Sequence, residues 1–426
     1  MLRFIHLADV HLDTPFRSRD AELRQALAEA GREAFRRAVT LAVIEKAQAF
    51  VIAGDLFDND RLSFRTEVLL QEQFERLNDS GITVVIATGN HDPGGRDLRA
   101  YRRADSWPKS LVLARGKDLV ETTILDGNGR ALGTIAAIGH ATAREAENLV
   151  RRFGRPNPKL PSVAVLHTQV ESAVAAAKHE RYAPCSLEDL RTRSYDYWAL
   201  GHVHLRQELS KQPAVHYPGN LQGRHFGETG AKGALLVEID GPGEQPRVFF
   251  RDLAPIRWDL LQLNDLSGVE SATELIDRAA RAYDGMRDHA ASVHGYRGDA
   301  RHLLRIKLIG PCPMAGALNF PEEAKALGEL ARDELDALHV EWDVSELRAP
   351  YDVASLRERS RILDGAFSLL EGLRSGEVSW DELGTGPLAS LGASHEVRHR
   401  DSLGRDRILS SLEELLAEAM TDEAGP

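Results

Sequence analysis

The sequence predicts an α/β protein, and three observations carry that expectation. Through the first 255 residues short β-rich runs alternate with amphipathic helices, a turn-rich stretch at 110–138 interrupts the alternation, and five short polar islands each directly follow a strand-like run. The 426 residues allow two to four domains at the usual ~100 to 200 residues each. With 42% hydrophobic and 28% charged residues, and only 35 Gly and 18 Pro, disordered and collagen-like chains are excluded.

Residues 4–8, 50–53, 82–87, 162–166 and 197–200 read as strands. Between the first two, Phe35, Val39, Ala42 and Lys46 recur at i, i+4, i+7 and i+11. Between the second and third, Leu70, Phe74 and Leu77 share one face of a helix over 66–78. Both read as crossover helices. At 110–138 turns such as Asp126-Gly127-Asn128-Gly129 predict antiparallel hairpins, and hence a mixed sheet. After Pro255 the strand-like runs 256–263 and 302–308 bracket a helix around 272–283. After about Pro350 the chain is helical, with Leu356, Leu363, Phe367 and Leu370 in one stretch and Ile408, Leu412, Leu415 and Leu416 in the last, separated by a linker at 383–394. The expected divisions are 1–255, 256–348 and 349–426.

The net charge of −12 argues against nucleic acid only if it is spread evenly, and it is not. Lys and Arg against Asp and Glu number 34 and 33 over 1–255, 10 and 16 over 256–344, and 9 and 16 over 345–426, so the acidity lies in the C-terminal part. No apolar run approaches the ~18 to 20 residues of a membrane-spanning helix, and the opening lacks the layout of a signal peptide, so a cytoplasmic protein away from membranes is expected. The two cysteines, Cys185 and Cys312, are far apart and read as buried thiols, which excludes a disulfide framework and a thiolate zinc site.

The five islands are Asp9-Val10-His11, Gly54-Asp55-Leu56-Phe57-Asp58, Gly89-Asn90-His91-Asp92, His167, and Gly201-His202-Val203-His204. Loops beyond the carboxyl ends of strands form the ligand crevice of α/β sheets, so these five can converge. Spacings of 46, 35, 77 and 35 residues from Asp9 to Asp55, Asn90, His167 and His202 leave room for a crossover each time. Asp9 and His11 lie two apart, as do His202 and His204, so in extended segments each pair points one way. Carboxylate, amide oxygen and imidazole together suit manganese, iron, zinc or nickel better than calcium.

Seven ligand-type side chains exceed one ion's needs, and a carboxylate can bridge two. The expected sets are Asp9, His11, Asp55 and His204 for one ion, and Asp55, Asn90, His167 and His202 for the other. Two divalent ions ~3.5 to 4 Å apart clamp a phosphoester for in-line displacement. His91, left unligated, is expected either to stabilise the pentacoordinate phosphorus or to protonate the leaving oxygen, with Asp92 orienting its ring. Arg224, His225 and Asn220 are candidate substrate contacts, and Arg144, Arg151, Arg152, Arg155 and Lys159 form a basic cluster that reads as surface charge or a phosphate-backbone contact. His6, His140 and His216 read as core or rim histidines.

This series resembles the signature of the calcineurin-like metallophosphoesterases. More narrowly, the stretch Leu7-Ala8-Asp9-Val10-His11-Leu12-Asp13-Thr14-Pro15-Phe16 and the stretch Tyr217-Pro218-Gly219-Asn220-Leu221-Gln222-Gly223-Arg224-His225 look like the YhaO branch of the SbcD-type DNA repair exonucleases. The resemblance covers about 1–255. It implies a four-layer αββα sandwich with a small α/β capping domain and C-terminal helices. It also implies a dinuclear centre, manganese foremost, and an exonuclease or endonuclease subunit acting on double-stranded DNA ends. An SMC-like coiled-coil ATPase would dock on the C-terminal helices, and a homodimer is a further expected partner. Where the SbcD-type nucleases usually place a histidine after Gly-Asp-Leu-Phe, this chain has Asp58, which reads as hydrogen-bonding a ligand histidine or capping the next helix. Two alternatives stand beside this: a phosphodiesterase or phosphatase for small nucleotides or phosphoproteins, and a non-catalytic DNA-tethering scaffold.

Overall fold

The computed structural model describes residues 1–16, 20–58, 62–95, 101, 104–174, 181–294, 299–350, 353–378 and 412, without side chains at 290–294, 355 and 359. The expected linker and all of the last helical stretch except Leu412 lie outside the described residues.

In chain order the strands of the first part are β1 (Leu2–Leu7), β2 (Ala49–Ala53), β3 (Thr83–Ala87), β4 (Val112–Ala114), β5 (Val120–Leu125) and β6 (Ala131–Ile138). Next come β7 (Ser162–His167), β8 (Tyr197–Gly201), β9 (Gln207–Lys211), β10 (Ala214–Tyr217), β11 (Gly233–Ile239) and β12 (Arg247–Asp252). They form two six-stranded sheets, ordered β12-β11-β1-β2-β3-β4 and β5-β6-β7-β8-β10-β9. In the first, β1, β2, β3 and β4 are parallel, and β11 and β12 add antiparallel strands beside β1. In the second, β6, β7, β8 and β10 are parallel, with β5 and β9 antiparallel at the edges.

The mixed sheet expectation thus holds, with one correction inside 110–138. Only β5 and β6 make an antiparallel hairpin there, around the 126–130 turn. Strand β4 instead pairs parallel with β3, because it continues the first sheet across the open edge of β3.

The sheets pack face to face through Phe4 and small or branched side chains: Ala8, Val51, Ala53 and Val85 from one, and Ile135, Ala137, Val163, Val165 and Ala199 from the other. The outer face of the first sheet is covered by α1 (Ala21–Ile44) and α2 (Phe64–Asp79), whose apolar stripes include Phe35, Val39, Leu70 and Phe74, all fully buried. Asp20 caps α1 by accepting from the amides of Glu22 and Leu23, and Ser63 caps α2 through the Thr66 amide. Burying one such aromatic is worth ~3 kcal/mol, so these stripes, more than helix propensity, hold the layer. The second sheet's outer face is covered by a short 3-10 turn at Leu149–Arg152, α3 (Leu187–Arg191) and neighbouring loops. The architecture is a layered α/β sandwich.

A three-stranded sheet follows: β13 (Ile256–Leu263), β14 (Arg301–Pro311) and β15 (His339–Arg348), with α4 (Ala272–His294), α5 (Ala315–Leu318) and α6 (Pro321–Glu334) in the connections. Most of this region forms one compact unit with residues 1–263, joined to α1 where Ile256, Trp258 and Leu303 pack on Leu23, Leu27 and Ala30. A second unit holds 264–271, 309–319 and the described residues from Glu346 onward. Within it, α7 (Val353–Arg359) and α8 (Arg361–Ser375) bury Leu356, Leu363, Phe367 and Leu370 together, with Leu412 against them. The apolar faces of α7 and α8 thus pack on each other within this unit.

Candidate metal centre

All five islands lie at the carboxyl ends of parallel strands. Asp9, Asp55 and Asn90 follow β1, β2 and β3 of one sheet, while His167 ends β7 and His202 follows β8 of the other. Because the sheets stack, the two sets of loops meet. Asp9, His11, Asp55 and His202 all have left-handed backbone, with φ of 50°, 49°, 52° and 104°. Such geometry is costly away from glycine, and it persists where surrounding contacts impose it. Here Val10 and His11 amides both donate to the Asp55 carbonyl, and the His202 amide donates to both carboxylate oxygens of Asp9. The loops approach so closely that a Cβ on Gly89 would sit 2.2 Å from Asp55 Oδ1. Only glycine fits there.

The donor atoms converge in two groups. In one, His11 Nε2 lies 3.2 Å from His204 Nε2 and 3.8 Å from Asp55 Oδ2, while His204 Nε2 lies 3.6 Å from Asp9 Oδ1. In the other, His167 Nε2 lies 2.9 Å from Asn90 Oδ1 and 3.3 Å from Asp55 Oδ2, and His202 Nδ1 lies 3.2 Å from Asn90 Oδ1. Asp55 belongs to both.

Three outer hydrogen bonds fix the tautomers. Nδ1–H of His11 donates to Asp58 (3.1 Å), that of His204 to Glu228 (2.6 Å) and that of His167 to the Ala53 carbonyl (2.9 Å). Each Nε2 then turns a lone pair inward, and two of these lone pairs face each other at 3.2 Å. Lone pairs, carboxylates and an amide oxygen repel at such distances unless positive charge stands between them. The donor set fits divalent cations, with imidazoles oriented by the outer partners typical of metal ligands.

The electrostatics agree. Burial disfavours charge on Asp55, yet His167 and His11 beside it hold its carboxyl well below the usual range. Burial likewise opposes a charged His167, but Asp55 and Asp9 bring it up to about 9, so without metal a proton supplies the positive charge. Burial takes His11 down to about 4, with Arg224 adding to the effect, which leaves its ring neutral at pH 7.

Other expected residues fall differently. His91 is half-exposed, and its Nδ1 lies 2.6 Å from Asp58 Oδ1. The expectation that Asp92 orients His91 is corrected. Asp92 is fully buried and accepts from the amides of Asp55, Leu56 and Gly89 and from the Tyr101 hydroxyl, so it splices two ligand loops together while Asp58 takes the His91 ring. Asp58 therefore bonds a ligand-type histidine, and Ser63 performs the helix cap. Asn220, expected at the substrate, is also corrected: it is fully buried, and its amide nitrogen donates to Gln222 O and Glu228 Oε2.

Arg224 lies at the centre's edge, its guanidinium 3.3 Å from Glu228 Oε1 and 3.6 Å from Asp58 Oδ2, while its Nε is buried with no hydrogen-bond partner. His225 is exposed beside it. The basic cluster at 144–159 is on the surface, with Arg152 held by Glu147 at 2.8 Å. His6 and His140 are fully buried and His216 nearly so, and both cysteines are buried free thiols. Sequence reasoning missed Glu228. Its only signal was a Glu a few residues past Arg224-His225, which no spacing rule singles out.

The sequence profile of the calcineurin-like phosphoesterases matches residues 2–206. That span carries every island just described. Residues 2–206 are a calcineurin-like phosphoesterase domain. Among relatives, this chain is 35% identical over 242 residues to the uncharacterized metallophosphoesterase YhaO of Bacillus subtilis (strain 168), covering 56% of this chain and 57% of that one. It is 23% identical over 257 residues to the DNA double-strand break repair protein Mre11 of Sulfurisphaera tokodaii, covering 56% and 60%. It is 25% identical over 314 residues to a subunit of the nuclease SbcCD of Escherichia coli (strain K12), covering 62% and 75%. The chain thus spans about three fifths of the length of the first two relatives. Calcineurin-like phosphoesterases bind two divalent metals, and three overlapping groups of His and Asp in this domain have donor atoms close enough to hold an ion. No helix among the described residues is long and apolar enough to cross a membrane.

Proposed function

We propose that this protein is a dinuclear metal-dependent phosphodiesterase that cleaves DNA at double-stranded ends, as the nuclease subunit beside an SMC-like ATPase. The observation that carries the hydrolytic reading is the convergence of the His11 and His204 Nε2 atoms, 3.2 Å apart, with the Asp9 and Asp55 carboxylates, a donor cluster that a divalent cation would satisfy. Asp9, His11, Asp55 and His204 would hold one ion, and Asp55, Asn90, His167 and His202 the other. When bound, such a pair supplies Lewis-acid activation of the phosphoryl group and a nucleophilic water.

The chain's own residues do the rest. His91 is steered by Asp58 through Nδ1, which leaves its Nε2 to protonate the departing oxygen. Asp58 couples that ring to His11, so the acid and one ligand are set by one carboxylate. Arg224, whose guanidinium lies at the edge of the centre beside Asp58 and Glu228, receives a phosphate oxygen. The DNA substrate and the ATPase partner rest on the likeness to relatives named for double-strand break repair and for a nuclease subunit.

The test offers purified protein with Mn²⁺ or with EDTA to linear duplex DNA, single strands and a small chromogenic phosphodiester. Mn²⁺-dependent duplex degradation is the expected result. Turnover of the small ester alone would move the reading to a small-nucleotide phosphodiesterase, and DNA binding without cleavage of any substrate would reduce the protein to a tethering scaffold.

A further inference from the structure

Beside Arg224 the first unit contains a cavity of about 590 Å³ that the hydrolytic reading does not use. The volume is within the range of small-molecule sites. Its walls come from the loop after the fifth island, the three-stranded sheet and the start of α1: Phe226 and Trp258 pack edge-to-face with ring centroids 4.8 Å apart, and Leu23, Leu27 and Leu303 line it as well. Arg305 holds its guanidinium over the Phe226 ring at 4.2 Å and pairs with Glu341 at 3.0 Å.

We propose that this cavity is a nucleobase pocket, taking the base of a nucleotide adjoining the phosphodiester held at the metal centre. This deepens the proposed function and rests on it for the identity of the substrate. Three observations carry it. The cavity is contiguous with the centre through Arg224, which lines it and also reaches Asp58 and Glu228, the partners of His11 and His204. Its walls combine the rings of Phe16, Phe226 and Trp258 with four leucines, and the face of Phe226 already accommodates a planar polar group in the Arg305 guanidinium. A base is planar and polar-edged in the same way, and base stacking on aromatic rings, with cationic arginine beside it, needs no particular sequence. The Glu341 carboxylate and Arg305 guanidinium, paired with each other at the cavity wall, still carry a second acceptor oxygen and further N–H donors for the base edges.

The pocket predicts that the terminal nucleotide is unpaired before cleavage, because a paired base has no free face to stack. Only the fraying cost of an end must be met.

The test compares wild type with Phe226→Ala and Arg305→Met on two Mn²⁺-dependent substrates, thymidine 5′-(p-nitrophenyl phosphate) and methyl p-nitrophenyl phosphate, which differ only in carrying a nucleoside. Both variants are expected to raise KM for the nucleoside ester about tenfold while leaving the methyl ester unchanged. Equal effects on the two esters, or none on either, would overturn the pocket. Binding of labelled oligothymidine, intact or with an abasic terminal residue, is measured by anisotropy in EDTA as a second readout. Wild type should prefer the intact end about tenfold and Phe226→Ala should lose that preference; no preference in wild type overturns the pocket. If wild type cleaves neither ester nor duplex DNA yet keeps the preference, the hydrolytic reading falls and the pocket stands.

Discussion

The Glu228 carboxylate and His204 Nδ1 meet at 2.6 Å, 24 residues apart in the chain, with the carboxylate drawn well below its usual pKa range. Burial works against that charge, but His204 and Arg224 more than offset it. The second oxygen of Glu228 takes the Asn220 amide and the Arg224 backbone amide, so the carboxylate is fully engaged. Glu228 thus sets the tautomer and angle of one candidate ligand. Glu228→Gln is expected to keep the fold and weaken Mn²⁺ binding by roughly 10- to 100-fold, read by calorimetric titration. Unchanged affinity would remove Glu228 from the centre's support.

Asp92 is the splice between the second and third islands. Asp92→Ala strands three buried amides and the Tyr101 hydroxyl, and is expected to cost on the order of 3 to 5 kcal/mol in urea unfolding. Tyr101→Phe removes one of the four bonds and should cost only about 1 kcal/mol. Similar losses in the two variants would contradict the splice.

His91→Ala is expected to keep Mn²⁺ affinity within about twofold yet lower kcat by roughly 10² to 10⁴, since the ring is aligned by Asp58 for proton transfer. Partial recovery with a phenolate leaving group, which needs no proton, would localise the defect to the leaving oxygen. A parallel loss of metal would make His91 a ligand.

Acid should destabilise the protein through its core histidines. Burial lowers His6 to about 3, with His216 adding to the effect, and burial lowers His216 to about 4, from the ordinary 6.5. Well above pH 6.5 both rings are neutral in folded and unfolded chains. As pH falls toward 4, the unfolded chain takes up protons that the folded one refuses, so stability drains over that window. His216 stacks on Tyr197, with ring centroids 5.4 Å apart, which leaves a neutral ring in a packed setting. Between about pH 7.5 and 5.0 the loss attributable to His216 should be roughly 2 kcal/mol, and His216→Gln should flatten the stability profile by that amount. A variant with the wild-type slope would exclude His216 as a source.

Much of the fold was legible because its signals are local. The runs that became β1, β2, β3, β7 and β8 are short and β-rich, and α1 and α2 show the helical period of Phe35, Val39 and Ala42 and of Leu70, Phe74 and Leu77. Strand β4 was misjudged because a three-residue strand carries no mark of which neighbour it will pair with. The roles expected of Asp92 and Asn220 were misjudged for a related reason: an Asp next to His91 or an Asn in a Pro-Gly-Asn turn looks available, and only packing shows that each is sealed among backbone amides and carboxylates.

The sequence by itself determined which residues could act as donors and that each group would sit at a strand's end, since ligand chemistry and strand period are written within a few residues. Tertiary structure decided which donors face one another, which tautomer each imidazole takes, and where a pocket opens beside them. Those outcomes depend on two sheets stacking and on the loop carrying Glu228 folding back over His204, contacts between segments whose separation along the chain leaves no pattern to read.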